Sequence, residues 1–92
     1  MLKLQTSPNR IWAEDGDHQT IAEVTFSSLD ANTVNIDHTF VDDSLRGQGV
    51  AGKLMVAVGD YLRAHGKKAR LTCSYAVKWF PEHQEYEDIL KK

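Results

Sequence analysis

The sequence predicts an α+β fold with the element order β-β-β-α-β-α-α. The first half of the chain alternates apolar and polar residues with a period of two, which is typical of half-buried strands. From Val50 the apolar spacing lengthens to that of a helix, about 3.6 residues per turn. A short apolar run follows, and a strand, helix, strand order implies a right-handed crossover to a parallel strand. We therefore expect an antiparallel meander whose last two strands are parallel.

Three strands are predicted ahead of the helix. Arg10–Glu14 ends at Asp15-Gly16, a dipeptide typical of hairpin turns. Thr20–Ser28 is the second strand, with Ala22, Val24 and Phe26 on its apolar face. Thr33–Val41 is the third. Continued alternation assigns its residues to two faces, Val34, Ile36, His38 and Phe40 on one and Asn35, Asp37, Thr39 and Val41 on the other.

The long helix is predicted from an apolar stripe and from a signal that ends the helix. The stripe consists of Val50, Leu54, Val58, Tyr61 and Leu62. His65-Gly66 is the expected end, because glycine accepts the left-handed conformation that closes many helices. Residues 69–73 form the predicted parallel strand. Residues 75–80 and 82–90 are predicted as two short helices, with Pro81 suited to the first turn of the second.

Size and composition restrict the function. With 92 residues, a single domain over residues 1–92 is expected. A net charge of −2 argues against a nucleic-acid binder, which needs a basic surface. The single cysteine, Cys73, excludes an intramolecular disulfide and a zinc cluster, and favours a cytoplasmic location. No apolar run approaches the ~20 residues that span a bilayer, and the start of the chain lacks the apolar stretch of a signal peptide.

The turn Arg46-Gly47-Gln48-Gly49-Val50-Ala51 suggests an anion site. Glycine costs up to about 1 kcal/mol relative to alanine inside a helix, so the glycines Gly47, Gly49 and Gly52 call for an explanation, such as close approach of another group. The first-turn N–H groups of a helix lack intrahelical acceptors, and the helix dipole favours an anion beside them. Arg46 and Lys53 would add positive charge. The alternative interpretation is a purely structural turn.

Two better-known phosphate motifs do not apply to this turn. The Gly-x-x-x-x-Gly-Lys-Ser/Thr loop is absent. Gly47-x-Gly49-x-x-Gly52 has the spacing of a dinucleotide fingerprint, but that fingerprint belongs to the first βα unit of a parallel sheet. Here the turn follows the third strand of a meander.

The segment Val41-x-x-x-x-Arg46-Gly47-x-Gly49-Val50-Ala51-x-x-Leu54 resembles the acyl-CoA signature of the GNAT N-acetyltransferases, Arg/Gln-x-x-Gly-x-Gly/Ala. The chain is also similar to a short bacterial-type subfamily of about this length. The shared features are Asn35-Ile36-Asp37-His38-Thr39 before the loop, Cys73 after the next strand, and the tail pattern His83-x-Glu85-Tyr86-x-Asp88.

The resemblance implies a minimal acyl-CoA N-acyltransferase (GNAT-like) fold that binds acetyl-CoA. The two parallel strands would splay apart and hold the pantetheine arm between them. The backbone near Val41 would pair with the arm, and the N–H near Thr39 would face the thioester carbonyl. Backbone N–H groups from Gln48 to Lys53 would hold the pyrophosphate. The implied cofactor-binding residues are Thr39, Val41, Arg46, Gly47, Gln48, Gly49, Val50, Ala51, Gly52, Lys53 and Phe80.

The catalytic groups of larger relatives are not all present. Many carry a tyrosine that protonates the departing thiolate, and the corresponding position here is Phe80, which has no proton to give. Cys73, as a thiolate, is a candidate to accept the acetyl group. The alternative interpretation is that Cys73 only packs in the core, as a small buried apolar residue. His38 is a candidate base. The alternative interpretation is that His38 is a structural histidine, hydrogen-bonded on a core face. Asp37 is the reserve base.

Three functions remain open from the sequence. The first is acetyl transfer from acetyl-CoA to an amine, on a small molecule or a lysine side chain. The second is a non-catalytic acetyl-CoA-binding module that senses the cofactor or works through a protein partner. Association as a homodimer is left open as well. The third, a protein-interaction domain without a cofactor, leaves the three glycines unexplained.

Overall fold

The computed structural model describes residues 3–91. Its five strands are β1 Gln5–Ser7, β2 Arg10–Glu14, β3 Thr20–Ser28, β4 Thr33–Val41 and β5 Lys68–Leu71. Its two α-helices are α1 Val50–Ala64 and α2 Ser74–Trp79. Three short 3-10 helices complete the described elements, at Asp43–Leu45, Phe80–Glu82 and Gln84–Ile89.

The strands form one sheet in the order β1-β2-β3-β4-β5. The pairs from β1 to β4 are antiparallel, and β4 with β5 is parallel, which confirms the predicted fold class. The strand β1 was not predicted. Gln5–Ser7 is polar and three residues long, too short to show a periodic pattern.

Helix α1 packs on one face of the sheet. Its stripe residues Val50, Leu54, Val58 and Leu62 are buried against Ala22, Val24 and Phe26 of β3. Full burial of a side chain such as Phe26 contributes roughly 1.5–3 kcal/mol. The helix ends where predicted, since Gly66 has φ 65° and the Lys67 N–H donates to the Leu62 carbonyl at 2.9 Å.

The opposite face of the sheet, which we call the open face, carries Thr25, Ser27, Asp37, His38 and Phe40. Ser27, Asp37, His38 and Phe40 are exposed on it. The predicted alternation of β4 is therefore wrong from His38 onward. Thr25 pairs with His38 but Phe26 pairs with Ile36, so Asp37 is an extra residue, a β-bulge. A one-residue insertion exchanges the faces, and it turns His38 and Phe40 away from the core.

The C-terminal segment packs against α1. Gly59 of α1 lies so close to the Tyr86 ring that a Cβ there would stand 2.5 Å from Cδ1. The Tyr86 hydroxyl donates to Asp60 at 2.9 Å, and Arg63 holds both carboxylate oxygens of Asp88 at 2.9 and 2.7 Å. The helix predicted over residues 82–90 is instead formed from 3-10 turns.

No helix among residues 3–91 combines the length and the apolar character needed to cross a membrane.

Candidate acyl-CoA site

The parallel pair of strands opens after four residue pairs. The register runs from Thr33 opposite Lys68 to Ile36 opposite Leu71. The N–H groups of Thr72 and Cys73 then both donate to the Ile36 carbonyl, at 3.1 and 3.0 Å. Beyond this point residues 38–41 of β4 pair only with β3, so their other backbone edge has no strand partner among the described residues. We call the gap between this edge and Cys73 the slot.

The bulge residue Asp37 lies where the slot begins. Its carboxylate accepts hydrogen bonds from Ser27 at 2.5 Å and from Thr25 at 2.6 Å. Burial raises the pKa of Asp37, but the two hydroxyl bonds outweigh it and leave the pKa below its usual value. Asp37 is therefore a carboxylate at neutral pH and a weaker base than an unperturbed one.

Thr39 and Cys73 meet across the slot. Thr39 Oγ1 lies 3.2 Å from Cys73 Sγ, and either atom can donate the hydrogen bond. Cys73 is 9% exposed and belongs to the core cluster. His38 precedes Thr39 but points to the open face. The structure thus brings Cys73 together with Thr39 and separates it from His38, the other predicted catalytic residue.

The glycine turn begins helix α1 without a side-chain cap. Gly47 and Gly49 have φ values of 79° and 70°, a conformation that glycine adopts at little cost. Gly49 is the N-cap residue and offers no side chain to the helix. The N–H groups of the first turn, at Gly49, Val50, Ala51 and Gly52, find no acceptor among the described residues. Four N–H groups that point outward at a helix start suit an oxygen-rich anion.

The charged and polar residues of the turn are exposed. Arg46 pairs with Asp43 at 3.0 Å, with both side chains largely in solvent, so the guanidinium can leave this pair for another anion at little cost. Gln48 and Lys53 are exposed as well. The Lys53 N–H, predicted to help hold a pyrophosphate, donates instead to the Gly49 carbonyl at 3.1 Å. Only the side chain of Lys53 is free to meet an anion.

A pocket of about 210 Å³ connects the turn with the end of β4. Its lining residues all border the slot or the turn: Val41, Leu45, Arg46, Gly47, Gly49, Val50, Ala51, Gly52 and Tyr75. Tyr75, on α2, was not identified from the sequence. Its hydroxyl lies near Gly52 of α1, and no local sequence pattern indicates that contact.

Phe80 is a core residue. It is 1% exposed and packs edge-on against the rings of Trp79 and Tyr86. A side chain buried in this way has no free polar group and no open surface toward the turn. Its predicted contact with a cofactor remains a prediction.

Comparison with known proteins places this architecture in a family. The family described as GCN5-related N-acetyl-transferase matches residues 10–89. The chain belongs to this family.

Individual relatives agree with this assignment. Protein NATD1 of Xenopus tropicalis is 36% identical over 62 residues, which cover 67% of this chain and 57% of NATD1. Human NATD1 is 34% identical over 62 residues, which cover 67% of this chain and 55% of the human protein. The chain thus spans a little over half the length of these curated relatives.

Solved structures share the fold. A GCN5-like protein from Staphylococcus aureus, solved by NMR, is 34% identical with a TM-score of 0.80, over 98% of this chain and 88% of that protein. YhbS of Escherichia coli, a GNAT family N-acetyltransferase crystallised with CoA, is 29% identical with a TM-score of 0.59. That match covers 67% of this chain and 38% of YhbS.

Proposed function

We propose that the protein binds acetyl-CoA and transfers its acetyl group to an amine, on a small molecule or a lysine side chain. One observation carries the proposal. The uncapped start of α1, with its four unpaired N–H groups, lies beside the slot where β4 leaves β5. The first feature suits a pyrophosphate and the second suits an extended amide-bearing arm. YhbS, a family member, was crystallised with CoA.

The described residues offer groups that suit each part of this ligand. The pyrophosphate would take the N–H groups from Gln48 to Gly52, with Arg46 and the Lys53 side chain adding charge. The free edge of β4 near Val41 would pair with the amides of the arm. The thioester carbonyl would then lie near the Thr39 N–H, which would stabilise negative charge on that oxygen during transfer.

The two candidate catalytic residues lie on opposite sides of the sheet. His38, on the open face, would accept the proton that the attacking amine loses as its nitrogen bonds to the acetyl carbon. Cys73, beside Thr39, would act at the departing sulfur in one of two ways. Its thiol gives a proton to the CoA thiolate as the carbon–sulfur bond breaks, or its thiolate accepts the acetyl group first and the amine then removes it. An acetylated Cys73 after incubation without amine, seen by intact-protein mass, distinguishes the second route.

Binding is tested by calorimetric titration with acetyl-CoA and with CoA. We expect micromolar affinity, since three or four charge-assisted hydrogen bonds are available. Gly49→Glu should abolish binding, because its carboxylate repels the pyrophosphate. Gly49→Gln is the matched control, with the same size and the same strained φ but no charge, and it should retain measurable binding. No binding by the wild-type protein at millimolar ligand contradicts the proposal.

Transfer is tested by release of CoA with polyamines, amino acids and lysine peptides as acceptors. With any accepted amine, Cys73→Ala and His38→Ala should each lower turnover at least ~100-fold. His65→Ala, at another exposed histidine, should leave turnover unchanged. Unchanged rates in the first two variants would remove these residues from the mechanism.

A non-catalytic acetyl-CoA-binding module is the second candidate. The observation that favours it is Phe80, buried at the position where many relatives carry a proton-donating tyrosine. Binding of CoA without turnover of any amine in the panel would favour this function.

A further inference from the structure

Gly52 differs from the other two glycines of the turn. Its φ is not positive, so backbone conformation does not require glycine there. Side chains of α2 occupy the space beside it. A Cβ on Gly52 would lie 3.4 Å from Nε1 of Trp79 and 3.8 Å from the hydroxyl oxygen of Tyr75. Two hydrogen-bond donors of α2 therefore lie close to the first turn of α1.

Neither donor has a partner among residues 3–91. The Tyr75 hydroxyl and the Trp79 indole N–H make no hydrogen bond to the described chain. Tyr75 is 39% exposed and lines the pocket at the glycine turn, whereas Trp79 does not line it. Of the two, Tyr75 is thus the one whose polar end can reach a ligand held in this pocket.

The unpaired polar groups at this end of the pocket can all donate hydrogen bonds. The N–H groups of Val50, Ala51 and Gly52 have no acceptor among the described residues, and Tyr75 lines the same pocket with its hydroxyl near Gly52. A ligand that satisfies all of these donors must offer several acceptor oxygens close together, which a pyrophosphate does.

We propose that Tyr75 donates a hydrogen bond to the pyrophosphate of CoA and so closes the site from the side of α2. The inference rests on the proposed function. It predicts that α2 helps to distinguish CoA from ligands that carry the pantetheine arm without phosphates. It also gives α2 a hydrogen-bonding role in binding, for which the apolar side chain of Phe80 has no polar group.

Tyr75→Phe tests the proposal, because it removes only the hydroxyl from an exposed ring. The matched control is Tyr61→Phe, at a tyrosine whose hydroxyl also has no partner among the described residues. Tyr61 lies nine residues further along α1 than Gly52, about 13 Å away at 1.5 Å per residue. Calorimetry is run on the whole chain with three probes: CoA, ADP and acetyl-pantetheine.

Tyr75→Phe should weaken CoA and ADP by about tenfold each, as expected for a hydrogen bond to a charged group. Acetyl-pantetheine should bind it as it binds the wild-type protein, and Tyr61→Phe should bind all three probes normally. Wild-type affinity of Tyr75→Phe for CoA would overturn this inference alone. An equal loss for acetyl-pantetheine would overturn the assignment to the pyrophosphate. Failure of the wild-type protein to bind CoA would overturn the proposed function and this inference together.

Discussion

The hydroxyl oxygen of Thr39 lies 3.2 Å from the sulfur of Cys73, across the slot where β4 and β5 separate. The contact joins two walls that share no backbone hydrogen bonds beyond Ile36. It exists because the bulge at Asp37 turns Thr39 toward the core and His38 toward the open face. A ligand arm in the slot would therefore lie against Cys73, and His38 would face whatever approaches from the other side.

Alkylation of Cys73 reports on occupation of the slot. CoA should slow the reaction of Cys73 with iodoacetamide at least tenfold, because the pantetheine arm would cover a residue that is already only 9% exposed. The reaction is followed by intact-protein mass. ADP is the control, since it occupies the phosphate site and leaves the slot empty, and it should protect little. Equal protection by ADP and CoA would show that the arm does not reach Cys73.

The sequence predicts those parts of the fold that rest on long periodic segments. β2, β3, β4 and α1 begin and end where the pattern indicates, since each buries one regular face. The bulge at Asp37 was not predicted, because the extra residue does not interrupt the alternation of apolar and polar residues along β4. Phe40 is apolar, so it continued the alternation of Ile36 even though it lies on the open face.

The sequence predicts the part of the candidate site that lies in one continuous motif, but not the contacts that tertiary packing makes. Gly47 and Gly49 stand in a recognisable motif, and their positive φ values agree with a turn before a helix. Tyr75 and Gly52 come together only through packing of α2 on α1, and no local pattern encodes that contact. The same holds for Thr39 and Cys73, which are separated by 34 residues in sequence.

Because Gly49 has a φ of 70°, we expect the protein to lose stability when this glycine is replaced. Gly49→Ala should lower the free energy of unfolding by about 1 kcal/mol, because an L-residue is disfavoured in the left-handed region. No atom of residues 3–91 lies within 4 Å of the added Cβ, so the loss would come from backbone strain and not from a clash. Urea denaturation measures it. Gly49→Asn should lose less, because asparagine tolerates this conformation. Equal stability of Gly49→Ala and the wild-type protein would contradict the left-handed turn.

Contact between Gly59 and Tyr86 makes a second stability prediction. Gly59→Ala would place Cβ 2.5 Å from one carbon of the Tyr86 ring and 2.7 Å from another, so the buried ring must move. We expect a loss of about 1–3 kcal/mol, partly offset by the higher helix propensity of alanine. Urea denaturation followed by tryptophan fluorescence measures it, because the Trp79 ring lies 5.8 Å from the Tyr86 ring.

Gly16→Ala is the control for that variant. Gly16 has no positive φ, and a Cβ there would meet no atom of the described part of the chain within 4 Å. Its effect should stay within about 0.5 kcal/mol. A loss at Gly16 as large as the loss at Gly59 would mean that the Tyr86 contact is not the cause.

The pair of Arg63 and Asp88 predicts how stability depends on pH. The hydrogen bonds from Arg63 lower the pKa of Asp88, and a smaller effect of burial opposes them. Since the folded-state pKa is depressed, the contribution of Asp88 is present above its unfolded value of about 3.9 and is lost as pH falls through the folded pKa. Asp88→Asn should thus be less stable than the wild-type protein at pH 7, and the difference should shrink below about pH 4. Urea is the denaturant to use, because a salt would screen this exposed pair.

Asp17→Asn, at a carboxylate with no side-chain partner among the described residues, should show no such difference at either pH. A difference for Asp88→Asn that is the same at pH 7 and pH 3 would show that its charge does not hold the C-terminal segment to α1.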